Sequence, residues 1–194
     1  MALAAPAPRV LADVVARSWV RNIVLVLGGA AFVGLSAQVA IPLPFTPVPL
    51  TLQTFAVLLT AAALGSLRGV AAMMLYAAVG AAGFPWFAEG SSGYSAPSFG
   101  YIVGFIAAAF VVGRIAEQGA TRSAISTAGL MVLGNIIIYA VGVTWLKQSL
   151  DASWSDAIAW GLTPFLIGDA IKVAAAAGLL PLAWKGLRKV GLSD

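Results

Sequence analysis

The chain is 194 residues long, 61% hydrophobic and 9% charged, against about 25% charged in soluble domains. That excludes a soluble globular protein and indicates a polytopic helical membrane protein. The net charge of +4 is dispersed rather than gathered into the patch a nucleic acid requires. Cysteine and histidine are both absent, which removes disulfides, thiol nucleophiles, zinc–thiolate sites and the commonest general base. Most hydrolytic and redox membrane enzymes are thereby excluded, and the expectation is a protein that is not an enzyme and uses no cofactor.

The first 21 residues carry Arg9, Asp13, Arg17 and Arg21. Their basic residues are spread out and their apolar part is broken, which is not the layout of a cleavable signal. A short surface helix from Leu11 to Arg21 is expected, either a solvated positive flank or a partner-docking arm. No charge follows until Arg68. Pro42, Pro44, Pro47 and Pro49 interrupt this run, because proline lacks a donor and clashes in a helix interior. The first span is therefore expected at 22–41 and the second at 50–67. Gly65, Ser66 and Gly69 around Arg68 predict a tight turn, and a short third span follows over 69–83.

Residues 84–98 are a loop by composition, punctuated by glycine, proline and serine. Its aromatics Phe84, Trp86, Phe87 and Tyr94 fit either an interfacial belt or a lid over a cavity. Further spans are expected at 99–115, 123–146 and 157–184. The whole reads as one all-α integral membrane domain over 1–194, with six transmembrane helices and no period-two alternation of a β-barrel. Arg9, Arg17, Arg21, Arg68, Arg114, Arg122, Lys185, Arg188 and Lys189 then fall on one side, with only Lys147 opposite. The positive-inside rule places both termini in the cytoplasm and the protein in the cell membrane. Glu89, Asp151, Asp156 and the aromatic loop face outside. No internal repeat suggests an inverted-repeat carrier. No P-loop is present, so ATP-driven work requires another subunit.

The sixth span holds two opposite charges, Asp169 and Lys172, with twelve uncharged residues on either side. A single helix over 157–184 is ~42 Å long, which puts the pair near mid-membrane. Three residues apart, the two share a face. Charge buried there is costly and marks function more often than packing. Carboxylate acceptors beside ammonium donors suit a small polar group with adjacent donor and acceptor atoms. The competing readings are a structural ion pair, or the proton site of a solitary carrier or channel. Gln53 (with Thr51), Asn135 (with Tyr139 four residues on) and, less so, Gln38 are further polar candidates that equally suit bridging between helices. Ala30 and Gly34 form a small-x3-small pattern, read either as internal packing or as a face for a partner membrane protein.

The run Gln38-Val39-Ala40-Ile41-Pro42-Leu43-Pro44-Phe45-Thr46-Pro47-Val48-Pro49-Leu50-Thr51-Leu52-Gln53-Thr54 resembles the first-loop signature of the BioY family. Those proteins are the biotin-binding S components of energy-coupling factor (ECF) transporters. Gly83 to Phe87 with Pro97 to Phe105 is similar to that family's third-loop and fourth-helix pattern, and Phe165 to Lys172 resembles its last-helix motif. The resemblance runs from about Ala30 to Pro181. One departure is bulky Phe99 where the family usually has glycine.

This resemblance implies vitamin uptake: biotin captured on the outer side beneath the aromatic loop, then import driven by a transmembrane coupling subunit and cytoplasmic ATPase subunits. It implies that Asp169 accepts from a ureido N–H and Lys172 donates to the ureido carbonyl. Asn135, Gln53 and Tyr94 are secondary polar contacts, and Trp86 and Phe87 cover the thiophane ring and valeryl chain. Ala30 and Gly34 resemble the Ala-x3-Ala face by which S components meet the coupling subunit.

Overall fold

The computed structural model describes residues 9–14 and 18–192. Seven α-helices build it: α1 (Trp19–Ala37), α2 (Gln53–Leu64), α3 (Ser66–Ala81), α4 (Phe99–Ala116), α5 (Ala124–Ser149), α6 (Trp154–Gly161) and α7 (Leu166–Lys189). Helix is the natural outcome for long uncharged runs, because in lipid every backbone group must be satisfied within the segment. Serines mark several starts: the Ser18, Ser123 and Ser153 side chains accept from the amides of Arg21, Ser126 and Asp156, a standard N-cap.

Among the described residues, four segments are long and apolar enough to cross a membrane: Trp19–Ala37, Phe99–Ala116, Ala124–Ser149 and the run Trp154–Lys189. α2 and α3 are apolar but shorter, 12 and 16 residues, or ~18 and ~24 Å. They form a helical hairpin through Gly65, whose φ of 83° lies in the region that favours glycine. The turn is tied to the end of α4: the Glu117 carboxylate accepts from the Ser66 amide and hydroxyl, both at 2.8 Å.

The proline-rich connection does not continue α1 to residue 41. The helix ends at Ala37, and two-residue strands β1 (Ala40–Ile41) and β2 (Leu50–Thr51) pair antiparallel, Ala40 opposite Thr51. Pro42, Pro44, Pro47 and Pro49 all sit between the strands, where a missing N–H costs no ladder bond. The Thr46 hydroxyl fastens this loop to the α6 end by donating to the Trp160 carbonyl at 2.7 Å.

α4 lies centrally, packed on α5, α3 and α2. At its crossing with α5 a Cβ on Gly104 would stand 3.0 Å from the Ile138 carbonyl oxygen. Glycine there allows direct backbone contact, the close approach that membrane helices favour. Ala108, Ala109, Val112 and Ile138 fill the surrounding core, each fully buried.

Two further expectations change. Residues 15–17 of the anticipated surface helix lie outside the described residues; before them Leu11–Val14 is a 3-10 turn that packs on α2. Val10 is fully buried and Asp13 pairs with Arg68 at 2.6 Å, so this stretch is docked rather than solvated. The anticipated single helix over 157–184 is broken. Leu162 has φ −132° and ψ −55°, and a 3-10 turn over Thr163–Phe165 contains Pro164. Proline removes a helix donor and disfavours helical geometry before it. Asp169 consequently lies in the first turn of α7, not in the middle of one long helix.

Candidate ligand cleft

At the N-terminal end of α7, Asp169 and Lys172 occupy the inward face with Ala176, Leu180 and Trp184, a spacing that follows the helical repeat. Ile167 and Ile171 point outward, 79% and 67% exposed. Asp169 is 5% exposed. Its charge is supported by the positive end of α7 and by three side chains. Oδ1 accepts from Lys172 Nζ at 3.1 Å and from the Thr54 hydroxyl at 3.3 Å, and Oδ2 accepts from the Tyr139 hydroxyl. Lys172 also donates to Thr54 Oγ1 at 2.9 Å. The pair is thus held jointly by α2, α5 and α7.

These groups line one wall of a cleft of ≈ 660 Å³, a figure that includes its open mouth. β2 and the start of α2 contribute Leu50, Thr51 and Gln53; the aromatic loop contributes Phe87 and Ser91; α4 contributes Phe99, Tyr101 and Phe105. The lining is mostly apolar, with Thr51, Gln53, Ser91 and Ser98 as neutral polar groups, and Asp169 and Lys172 are the charged groups in it, so a ligand here is oriented chiefly by that charged corner. Tyr101 braces α4 against the α6 end by donating to the Gly161 carbonyl at 2.7 Å.

The aromatic loop is a packed lid. Gln38 reaches across from the end of α1, its amide donating to the carbonyls of Gly34, Trp86 and Phe87 at 3.1–3.2 Å. Trp86 Nε1 donates to the Tyr76 carbonyl at 3.0 Å, and the two rings lie 5.1 Å apart. Gln53 donates to the Tyr76 hydroxyl at 2.7 Å, which donates on to the Trp86 carbonyl at 3.3 Å. Phe87 lies directly on Gly80, where an added Cβ would come within 2.1 Å of its ring.

Of the residues singled out from sequence, Asp169, Lys172, Gln53 and Phe87 come together in the cleft. Trp86 does not line it; its ring packs behind, against Gly34 and Tyr76. Tyr94 is 69% exposed on the loop and outside the lining. Asn135 lies on the far side of Asp169, in a groove between α5 and α7, with a buried Oδ1 that has no hydrogen-bond partner. Ala30 and Gly34 are buried. A Cβ on Gly34 would sit 3.0 Å from the Trp86 ring, so Gly34 packs inward under the lid, and Ala30, at 1% exposure, is likewise turned into the chain.

Sequence reasoning missed Thr54, which bridges both charges, and noticed Tyr139 only as a neighbour of Asn135. Neither belongs to a charge pattern, so only the packing of α2 and α5 against α7 exposes their role. Phe99 stood out only as a departure from the family pattern, yet it forms part of the cleft wall, with its ring 6.3 Å from that of Phe87.

Comparison with known proteins places this geometry. The model of the BioY family matches residues 8–189. A "Biotin transporter BioY" of Rhodobacter capsulatus is 40% identical over 167 residues, covering 79% of this chain and 87% of that protein. Another of Thermotoga maritima is 40% identical over 150 residues, covering 76% and 86%. A solved structure, the S-component for biotin from an ECF-type ABC transporter, superposes with a TM-score of 0.78 at 23% identity, covering 88% of this chain and 95% of that one; it shares the fold.

Proposed function

The chain belongs to the BioY family, and from that premise we propose that it captures biotin as the substrate-binding S component of an ECF-type importer. The observation that carries this reading is the unspent hydrogen-bonding capacity at the polar corner of the cleft. Lys172 has three donors, and two are engaged, by Asp169 and Thr54. Asp169 Oδ2 accepts one bond, from Tyr139, and a carboxylate oxygen has room for two. One donor on Lys172 and one acceptor site on Asp169 therefore remain for a ligand. A ureido ring offers the matching N–H and carbonyl, and charge-assisted bonds of this kind are the strong ones.

Phe87, Phe99 and Phe105 then contact the thiophane ring and valeryl chain, and Gln53 adds a polar group beside them. Trp86 acts from behind by holding the lid. Binding in the cleft requires no chemical step, which agrees with a transport protein rather than an enzyme. A solitary proton-coupled carrier finds no support in the family assignment.

In this reading the 1–194 domain spans the membrane six times, with α2 and α3 as two short spans and α6–α7 together as the last. Both termini lie in the cytoplasm, and the cleft opens outward beneath the lid. A transmembrane coupling subunit and cytoplasmic ATPases supply the energy for import. The test is equilibrium binding of labelled biotin to the purified chain, with unlabelled biotin and other vitamins as competitors. Saturable binding displaced only by biotin is expected. A folded chain that binds no biotin overturns the assignment.

A further inference from the structure

A second concavity runs along the opposite side of the Asp169–Tyr139 contact, between α5 and the α6–α7 run. Val132, Ile136 and Ala140 on α5 face Ile158, Leu166 and Val173. The break between α6 and α7 at Leu162–Phe165 lies along the groove, with Leu162 and Leu166 in its wall. From Val132 to Thr144 the groove follows α5 for ~18 Å. Its walls remain open although strongly apolar: Ile136 is 59%, Ile158 45% and Leu166 51% exposed. Both walls belong to segments apolar enough to cross a membrane. The occupant is therefore long, narrow and apolar.

One end of the groove carries a charge. The Trp154 ring forms part of its wall, and Lys147 Nζ stands 5.6 Å from that ring's centroid. Lys147 makes no ion pair among the described residues. An aromatic ring with a basic residue at a helix end is an interfacial arrangement, and an unneutralised ammonium there complements an anion. We propose that this groove is a phospholipid site: an acyl chain lies along α5 between Trp154 and Val132, and its anionic headgroup meets Lys147. Asp169 and Tyr139 line both the groove and the ligand cleft, so the acyl chain lies directly behind the charged corner of the ligand site. Charge complementarity at Lys147 selects a lipid over an apolar protein helix.

The test uses Trp154 as the reporter and needs no vitamin, so it stands apart from the assignment of biotin. The wild-type chain and Trp154→Phe are placed in phosphatidylcholine vesicles containing a small fraction of phosphatidylglycerol, with brominated acyl chains on one lipid or the other. Their difference isolates Trp154 emission. Brominated phosphatidylglycerol is expected to quench it with about fivefold preference over brominated phosphatidylcholine at equal fraction, the worth of one basic residue near an anionic lipid. Lys147→Gln, checked for monodisperse folding, is expected to abolish the preference. Equal quenching by both lipids overturns the site. So does a Trp154 shielded from both lipids while Ile136→Cys crosslinks to a second copy, which makes the groove a protein interface.

Discussion

Asp169 carries more of the polar corner than any other residue, because Lys172, Thr54 and Tyr139 all donate to it. Replacing a hydrogen-bonded buried charge leaves its partner uncompensated, at a cost of ~2–5 kcal/mol. Asp169→Asn is therefore expected to weaken biotin binding by roughly 30-fold or more, measured as Kd on the purified, folded variant. Asn135 makes the contrasting case. Its buried Oδ1 lacks a partner, and an unsatisfied acceptor is costly. Asn135→Leu is expected to leave biotin Kd unchanged and the thermal midpoint equal or higher. A large loss of affinity in that variant would restore Asn135 to the site.

Among the elements, the lid and the α2–α3 turn each include a contact that one substitution tests. Gly80 lets α3 accept the Phe87 ring at close range, and any side chain there drives into the ring. Overpacking of this kind costs ~1–3 kcal/mol. Gly80→Ala is thus expected to lower both the unfolding midpoint and biotin affinity, since Phe87 also lines the cleft.

The turn rests on Glu117. Burial opposes its charge, but the Ser66 amide and hydroxyl, followed by Arg114, hold its carboxyl below the usual value. A group depressed in the folded state contributes stability above its unfolded-state pKa and loses it as pH falls through the folded one. Acidification below about pH 4 is expected to erode the thermal midpoint. Glu117→Gln removes the part of that slope due to this residue, read as midpoint against pH.

At the scale of the whole molecule, the distribution of cations sets orientation. The chain contains no cysteine, so single introduced thiols report sidedness without background. Ser91→Cys, on the lid, is expected to react with an impermeant maleimide added outside intact cells. Gly191→Cys, after α7, is expected to react only after permeabilisation. Reversal of that pattern would overturn the six-span arrangement with cytoplasmic termini.

Membrane residence and helical class were legible without coordinates, because composition and uncharged run length alone satisfy the bilayer's demand for internally bonded backbone. So was the prominence of Asp169 and Lys172, since two charges in an apolar run need a reason. The places where helices end were less legible. The first helix stops at Ala37 and the last run breaks at Leu162, through local turn geometry that hydropathy does not register. The inward turn of Ala30 and Gly34, the withdrawal of Trp86 behind the lid and the bridging role of Thr54 were decided by tertiary structure. Small residues and hydroxyls acquire their partners only when α1, α2 and α5 are brought against the lid and α7, and nothing in their own spacing says which neighbour each will meet.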